Sequence, residues 1–219
     1  MSSAFKVITA PGAEPVTVDD IRAYARIDFA DDDPLLGSLI TRVRRIGETL
    51  SHRALATQQI QQTFTIERPI GGDLSGPLRA GPNWYEYQEQ LGANPFGPAQ
   101  FYFDLAAPPI QVSQGYTIEY KVVAFSPWTV FPQVTNPDGS TNTWIDDTLE
   151  PARLYIMTPQ TANFYRFTYW AGYSSSYPCP DDLVQAICEG VAYLYDNREA
   201  EGFPEAIKNK FLARRVDWV

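Results

Sequence analysis

The residue types that do chemistry are sparse in this chain and poorly spaced for it. Asp31, Asp32 and Asp33 supply three carboxylates, the donor type that hard divalent cations take. Consecutive residues at a helix start point in different directions, however, and with Pro34 following they read as the cap and first turn of a helix. Asn136, Asp138, Asp146 and Asp147 offer oxygen ligands for calcium. Yet Gly139 stands fourth in that run where the calcium-loop pattern needs it sixth, so a hairpin turn is expected instead. His52, the one histidine, sits just past a helical segment beside Arg53, with no Ser or Cys motif near it; a helix-end imidazole favoured by the dipole is expected rather than a general base. Gly71, Gly72 and Asp73 lack the lysine and spacing of a phosphate loop. Cys179 and Cys188 match neither a disulfide framework nor a zinc pattern, and Cys188 lies within an apolar helical run. No catalytic residue, cofactor or metal site is expected, and the chain reads as no enzyme.

Recognition chemistry is better represented. Trp84, Tyr85 and Tyr87 lie in a stretch, 70–98, rich in Gly and Pro, and aromatics so placed serve both sugar sites and protein interfaces; the interface is the preferred reading. A carbohydrate- or receptor-binding module using 82–87 is the alternative. Trp218, with Arg214 and Arg215, reads either as a packed end or as an interaction anchor.

Charge sets limits on partners. The chain has 219 residues, 44% of them hydrophobic, and a net charge of −9. The charge is unevenly spread: residues 71–152 carry nine carboxylates against two bases, while 204–219 carry four bases against two carboxylates. Tight binding to nucleic acid by phosphate neutralisation needs clustered Lys and Arg, so DNA can pass beside such a chain without sticking. The first residues lack the apolar core of a signal peptide, and no run approaches the roughly 18 apolar residues of a membrane span. A soluble protein, made in the cytosol and with reduced thiols, is expected.

Four helices and a sheet must position these residues. Thr17 with Asp20 forms a capping-box-like start to a helix over about 17–27. A second, over about 34–51, places Leu36, Leu39, Ile40, Val43 and Leu50 in one sector of its wheel, with Arg44, Arg45 and Glu48 opposite. From Gln58 the period changes to two, and strand-like runs follow at 100–105, 116–125, 152–157 and 163–170. Residues 70–98 and 125–150 read as long loop insertions. Pro180, Asp181 and Asp182 open a long amphipathic helix over about 180–200, in which Ala186 and Gly190 clear space for a neighbouring backbone. Gly202 and Pro204 lead into a last helix over about 204–214, with Ile207, Phe211 and Leu212 on one side. The class is α+β: a helical bundle of two N-terminal and two C-terminal helices, with an antiparallel β part over about 58–170 inserted between them.

The order of these blocks resembles the head–tail connector, or adaptor, family of tailed phages. The residues that carry the likeness are EPVTVDDIRAYARID at 14–28, DDDPLLGSLITRVRRIGETLSHRALATQQIQQTF at 31–64, APPIQVSQGYTIEY at 107–120 and FTYWAGYSSSYPCPDDLVQAICEGVAYLYDNREA at 167–200. The two long loops depart from the family pattern, as does Asp196, where the family commonly has Glu. The resemblance implies a single connector domain over 1–219 and a ring of twelve copies below a portal protein. It also implies a tail-side neck or tail-terminator partner, DNA passing through the channel without specific binding, no membrane, and a place in the neck of the virion after synthesis in the bacterial host cytoplasm. On that reading Arg42, Arg44, Arg45 and Glu48 lie on an exposed helix face and contribute to the ring contact. Phe211, Arg214, Arg215 and Trp218 dock on the portal, and Trp84, Tyr85 and Tyr87 form a loop interface.

Overall fold

The computed structural model describes residues 2–65, 100–135, 141–157, 162–200 and 202–217. The class is α+β, as the periodicities require. In chain order the elements are β1 (Ser2–Thr9), α1 (Val18–Ala25), α2 (Asp33–Ser51), β2 (Gln58–Thr65), β3 (Gln100–Asp104), β4 (Tyr116–Lys121), β5 (Thr129–Val130), β6 (Thr143–Asp146), β7 (Arg153–Met157), β8 (Phe164–Ala171), α3 (Asp181–Asp196) and α4 (Glu205–Leu212). They form two compact units. One is helical, from Thr9–Gln59, Ala106–Ile110 and Ala171–Val219; the other is built of strands, from Met1–Ile8, Ile60–Leu105 and Gln111–Trp170.

The helical unit forms because each helix has a start signal and one apolar face. Thr17 accepts the Asp20 N–H through its hydroxyl at 3.2 Å, and the Asp20 carboxylate accepts the Thr17 N–H at 2.8 Å, a complete capping box. The Thr17 hydroxyl, donating to the same carboxylate at 2.7 Å, and after it the Thr17 N–H hold the Asp20 carboxyl below the usual carboxylate range. The core joins Ile21 of α1, Leu36, Leu39, Ile40 and Val43 of α2, Leu183, Ile187, Val191 and Leu194 of α3, and Ile207 and Phe211 of α4. Gly190 lets α3 come close to α2: a Cβ there would stand 2.9 Å from Val43 Cγ1 and 3.3 Å from Phe203. Gly47 does the same for α4, since its Cβ would meet the Phe211 ring at 2.5 Å. The third helix stops at Asp196, short of the expected 200: Asn197 leaves the helical conformation at φ −118, ψ 71, and its side-chain amide donates to the Tyr193 carbonyl at 2.9 Å.

The β unit holds two sheets. One has five strands in the order β1-β2-β8-β4-β5, and the other three in the order β3-β7-β6. The pairs β4–β8, β4–β5, β3–β7 and β6–β7 are antiparallel. Burial alternates residue by residue along β2 and β8, the signature of strands with one covered face. Phe103 of β3 makes that cover, with its ring 4.9 Å from Phe64, 4.8 Å from Phe167 and 5.4 Å from Tyr165. The segment 125–150, expected as a connection, contains β5 and β6; both are too short for their alternation to stand out in the sequence.

Gly172, just after β8, has φ +103, and a Cβ on it would stand 2.1 Å from the Ala56 carbonyl oxygen. Gly172→Ala is therefore expected to destabilise the fold by roughly 3 kcal/mol, from backbone strain and overlap together. Urea unfolding followed by circular dichroism measures it.

Candidate functional site

The residues that suggested chemistry are occupied with structure. Asp32 accepts the Tyr195 hydroxyl at 2.5 Å, and the Asp33 carboxylate takes Arg22 through two bonds of 2.8 and 2.6 Å. Asp32 and Asp33 thus serve separate partners at the start of α2, and no group of three metal-ligating residues occurs among the described residues. His52 caps α2 in the left-handed conformation, φ 56, and its Nδ1 lies 3.0 Å from the Val216 carbonyl. Burial first, then Asp182 and Asp181, push the Cys179 thiol up to about 12; burial raises Cys188 as well. Neither thiol forms a thiolate near neutral pH. Asn136, Asp138, Gly139, Gly71, Gly72 and Asp73 lie outside the described residues.

The polar face of α2 divides in two. Arg42 and Arg45 are exposed, as expected. Arg44 and Glu48 are not: the Arg44 side chain is 4% exposed and the Glu48 side chain 16%. The coil ahead of α1 crosses this side of α2 and brings Glu14 onto it. Arg44 donates from Nε to Glu14 at 2.6 Å and from Nη1 to Glu48 at 2.8 Å. Thr41 donates to the other Glu14 oxygen at 2.9 Å. Glu48 also accepts the Leu55 N–H at 3.0 Å and the Gln58 amide at 3.2 Å. Burial lifts the Glu48 carboxyl above its ordinary range, with Arg44 and the Leu55 N–H pulling the other way. Arg44 and Glu48 therefore form an internal knot, not a surface offered to a neighbour. The i, i+4 spacing of the pair is visible in the sequence, but the decisive partner, Glu14, lies 30 residues away.

The tail differs from expectation in the same way. Phe211 is fully buried, packed against Gly47 and 6.3 Å from the Phe203 ring, because it belongs to the apolar face of α4. It is a core residue and unavailable to a portal. The chain after α4 is tied to the end of α2: the Val216 N–H donates to the Ser51 carbonyl at 3.0 Å, and Arg53 Nε donates to the Arg214 carbonyl at 2.5 Å. Arg214 also pairs with Asp182 at 2.8 Å, which holds that carboxyl below the usual range. This pairing favours the folded state above the ordinary carboxylate pKa and fades as pH falls through the depressed one. Arg215 is exposed and pairs with Asp217 at 2.7 Å. Trp218 and the aromatics Trp84, Tyr85 and Tyr87 lie outside the described residues.

What the described residues do present is surface. An open groove of about 590 Å³ in the helical unit is lined by Pro15, Leu55, Tyr173, Pro178 and Val184. The one carboxylate on its wall, Glu14, is already bound by Arg44 and Thr41. In the β unit, Phe5, Val7 and Ile8 of β1 are exposed, as are Val122, Phe125, Val130 and Val134 around β5. Exposed apolar groups on strand edges are the kind of surface that pairing and protein contacts use.

Solved structures carry the same fold from end to end. A chain in the neck of an empty gene transfer agent particle, computed with C6 symmetry, superposes with a TM-score of 0.64 at 17% identity, over 99% of this chain and 97% of that one. This chain has the fold of a neck subunit. A chain in the virion of the native gene transfer agent particle gives a TM-score of 0.58 at 18% identity, over 98% and 96% of the two chains. One in the native neck computed with C12 symmetry gives 0.57 at 17%, over 99% and 97%. No protein-family model matches the chain, and no curated protein sequence matches it.

The Arg44 knot has a measurable cost when opened. Arg44→Ala leaves two desolvated carboxylates facing each other and is expected to lose roughly 3–5 kcal/mol of stability by urea unfolding. Glu14→Gln with Glu48→Gln added to Arg44→Met, which removes all three charges together, is expected to recover most of that loss.

Proposed function

We propose that this protein is a structural subunit of a virion neck: a head–tail connector that assembles as a ring of twelve beneath a portal, joins capsid to tail and extends the DNA channel. One observation carries the reading. The likeness to neck chains of gene transfer agent particles covers virtually the whole of both chains, so it is the subunit's complete architecture that is shared, not a common substructure. The order of sequence blocks supports it independently. A ring requires each copy to use one patch against a different patch on its neighbour, and such contacts close when the rotation divides the circle.

Within that reading the helical unit offers Arg42 and Arg45 to the neighbouring copy, while Arg44 and Glu48 keep the helix in place. Arg215 and Trp218 remain the portal-docking candidates, and Phe211 is withdrawn from that role. The portal lies above the ring and a tail-side neck or tail-terminator protein below it. Where carboxylates of 71–152 face the channel, they make its wall negative, so that DNA slides rather than sticks. The neck of the virion is its place of work, after synthesis in the host cytoplasm. Among the described residues no helix is long and apolar enough to cross a membrane, and a membrane partner has no part in the reading. The carbohydrate-binding alternative rests on Trp84 and Tyr85, outside the described residues, and no observation favours it.

The test is the mass of the purified chain, alone and with a portal protein encoded beside it, by light scattering after size exclusion. A ring, free or formed on the portal, is the expected result; a monomer that ignores the portal overturns the proposal. Arg42→Glu with Arg45→Glu is expected to abolish the ring mass while leaving the unfolding midpoint within a few degrees, because both side chains are exposed. Deleting 217–219, which spares the buried Val216, is expected to weaken portal binding without shifting the unfolding transition. Unchanged portal binding removes the tail from the docking site.

A further inference from the structure

On the helical unit Arg22, Lys208, Lys210, Arg214 and Arg215 each hold a carboxylate of their own chain. Arg42 and Arg45 hold none among the described residues. Both are exposed; Arg42 reaches only the Ala200 carbonyl, at 3.3 Å, and the Arg45 side chain has no partner there. Three residues apart, they stand side by side on the polar face of α2. In a chain of 26 acidic residues against 17 basic ones, two neighbouring guanidiniums without a carboxylate are a place for carboxylates from outside.

The same face is bare about a turn earlier. A Cβ on Gly37 would meet nothing within 4 Å, whereas Gly47 and Gly190 lack side chains to admit Phe211 and Val43. Glycine weakens a helix interior, and packing within the chain gives no reason for this one. Close approach by another molecule does. Gly37, Arg45 and Arg42 fall within about 140° of the helix circumference, so one partner can cover all three.

The complement lies in the turn between α1 and α2. Asp28 and Asp31 are exposed and hold no cation among the described residues, whereas Asp32 and Asp33 are taken by Tyr195 and Arg22. Between the two free carboxylates stands Phe29, 52% exposed, and the only base exposed beside them in the sequence is Arg26. This turn is out of reach of its own chain's arginines, because roughly 15–20 Å of helix separates Asp31 from Arg42 and Arg45. The two surfaces are opposite in charge, separate, and carried by one compact unit. That is the arrangement a head-to-tail contact between copies needs.

We propose that the turn 28–31 of one copy docks on the α2 face of the next, with Asp28 and Asp31 against Arg42 and Arg45 and the Phe29 ring over Gly37; the inference rests on the ring reading and names what the arginines meet. The occupant of the α2 face is a second copy of this chain. Exposed ion pairs are individually weak. The contact therefore holds when a closing ring engages both surfaces of every copy together.

Two charge-reversed chains test it, by light scattering after size exclusion, with the portal present where the unaltered chain needs it to assemble. Arg42→Glu with Arg45→Glu leaves carboxylates on both surfaces, and Asp28→Arg with Asp31→Arg leaves arginines on both. Each is expected to lose the assembled mass and to keep its unfolding midpoint within a few degrees, since all four side chains are exposed. Mixed in equal amounts, the two are expected to recover that mass, because every joint then sets unlike charges together and an alternating ring closes with any even number of copies. Gly37→Leu is expected to fold normally and to weaken assembly tenfold or more, about the effect of one misplaced side chain in a close contact. Full assembly by Asp28→Arg with Asp31→Arg alone, or a mixture that fails to recover the mass both variants have lost, overturns this contact and leaves the ring reading standing. An unaltered chain that stays monomeric alone and with the portal overturns both.

Discussion

The helical unit depends on one buried cation. Arg44 gathers Glu14 from the coil before α1 and Glu48 from its own helix, and Glu48 in turn holds the Leu55 N–H and the Gln58 amide. Three stretches of chain, the entry to α1, the body of α2 and the start of β2, are thereby fixed to one guanidinium. Burying an ion pair is a poor source of net stability, since desolvation consumes most of the attraction. Its effect here is geometric. It allows one segment to cross the polar side of α2 in one register only, while the opposite, apolar side packs on α3 and α4.

The apolar side obeys a similar constraint. Gly47 and Gly190 remove the two side-chain stubs that would hold Phe211 and Val43 away, so the helices approach closely and leave core positions fully enclosed. The tail then has a defined surface to return to, and it does so with backbone bonds to Ser51 and through Arg53 to the Arg214 carbonyl. In the β unit the corresponding role falls to Phe103, whose ring meets aromatics from two strands of the facing sheet. Large, stiff side chains set the spacing of the sheets and leave the sheet edges free of that task.

Much of this was legible in the sequence, for local reasons. Thr17 with Asp20, Pro34 after its aspartates, and Pro180 before Asp181 and Asp182 are start signals that act within one turn, and all three open helices where expected. The period-two run from Gln58 and the strand-like runs at 100–105, 116–125, 152–157 and 163–170 fall on β2, β3, β4, β7 and β8. The strand β1 sends no such signal, since with both faces exposed it has no alternation to display. The fate of Arg44 was not legible, because burial on the polar side of a helix depends on what crosses it, and Glu14 is remote in sequence. Phe211 is a different case. Its spacing with Ile207 already placed it on an apolar face, and that local pattern outweighed the docking role that the family resemblance implied.

In the proposed ring, a subunit with a surplus of carboxylates associates with copies of itself against their mutual repulsion. One solution is a large apolar interface, which makes the monomer prone to aggregate. The surface described here suits another. Its exposed apolar groups fall in two separate sets, on β1 and around β5. In the proposed ring, closure makes the binding of the last copy engage two contacts at once, so many weak joins act as one strong one. Repulsion among the carboxylates then works in favour of the function: it disfavours off-register stacking of copies and leaves the channel wall unattractive to DNA. The same charge that disfavours tight nucleic-acid binding fits the proposed ring, through which DNA would pass.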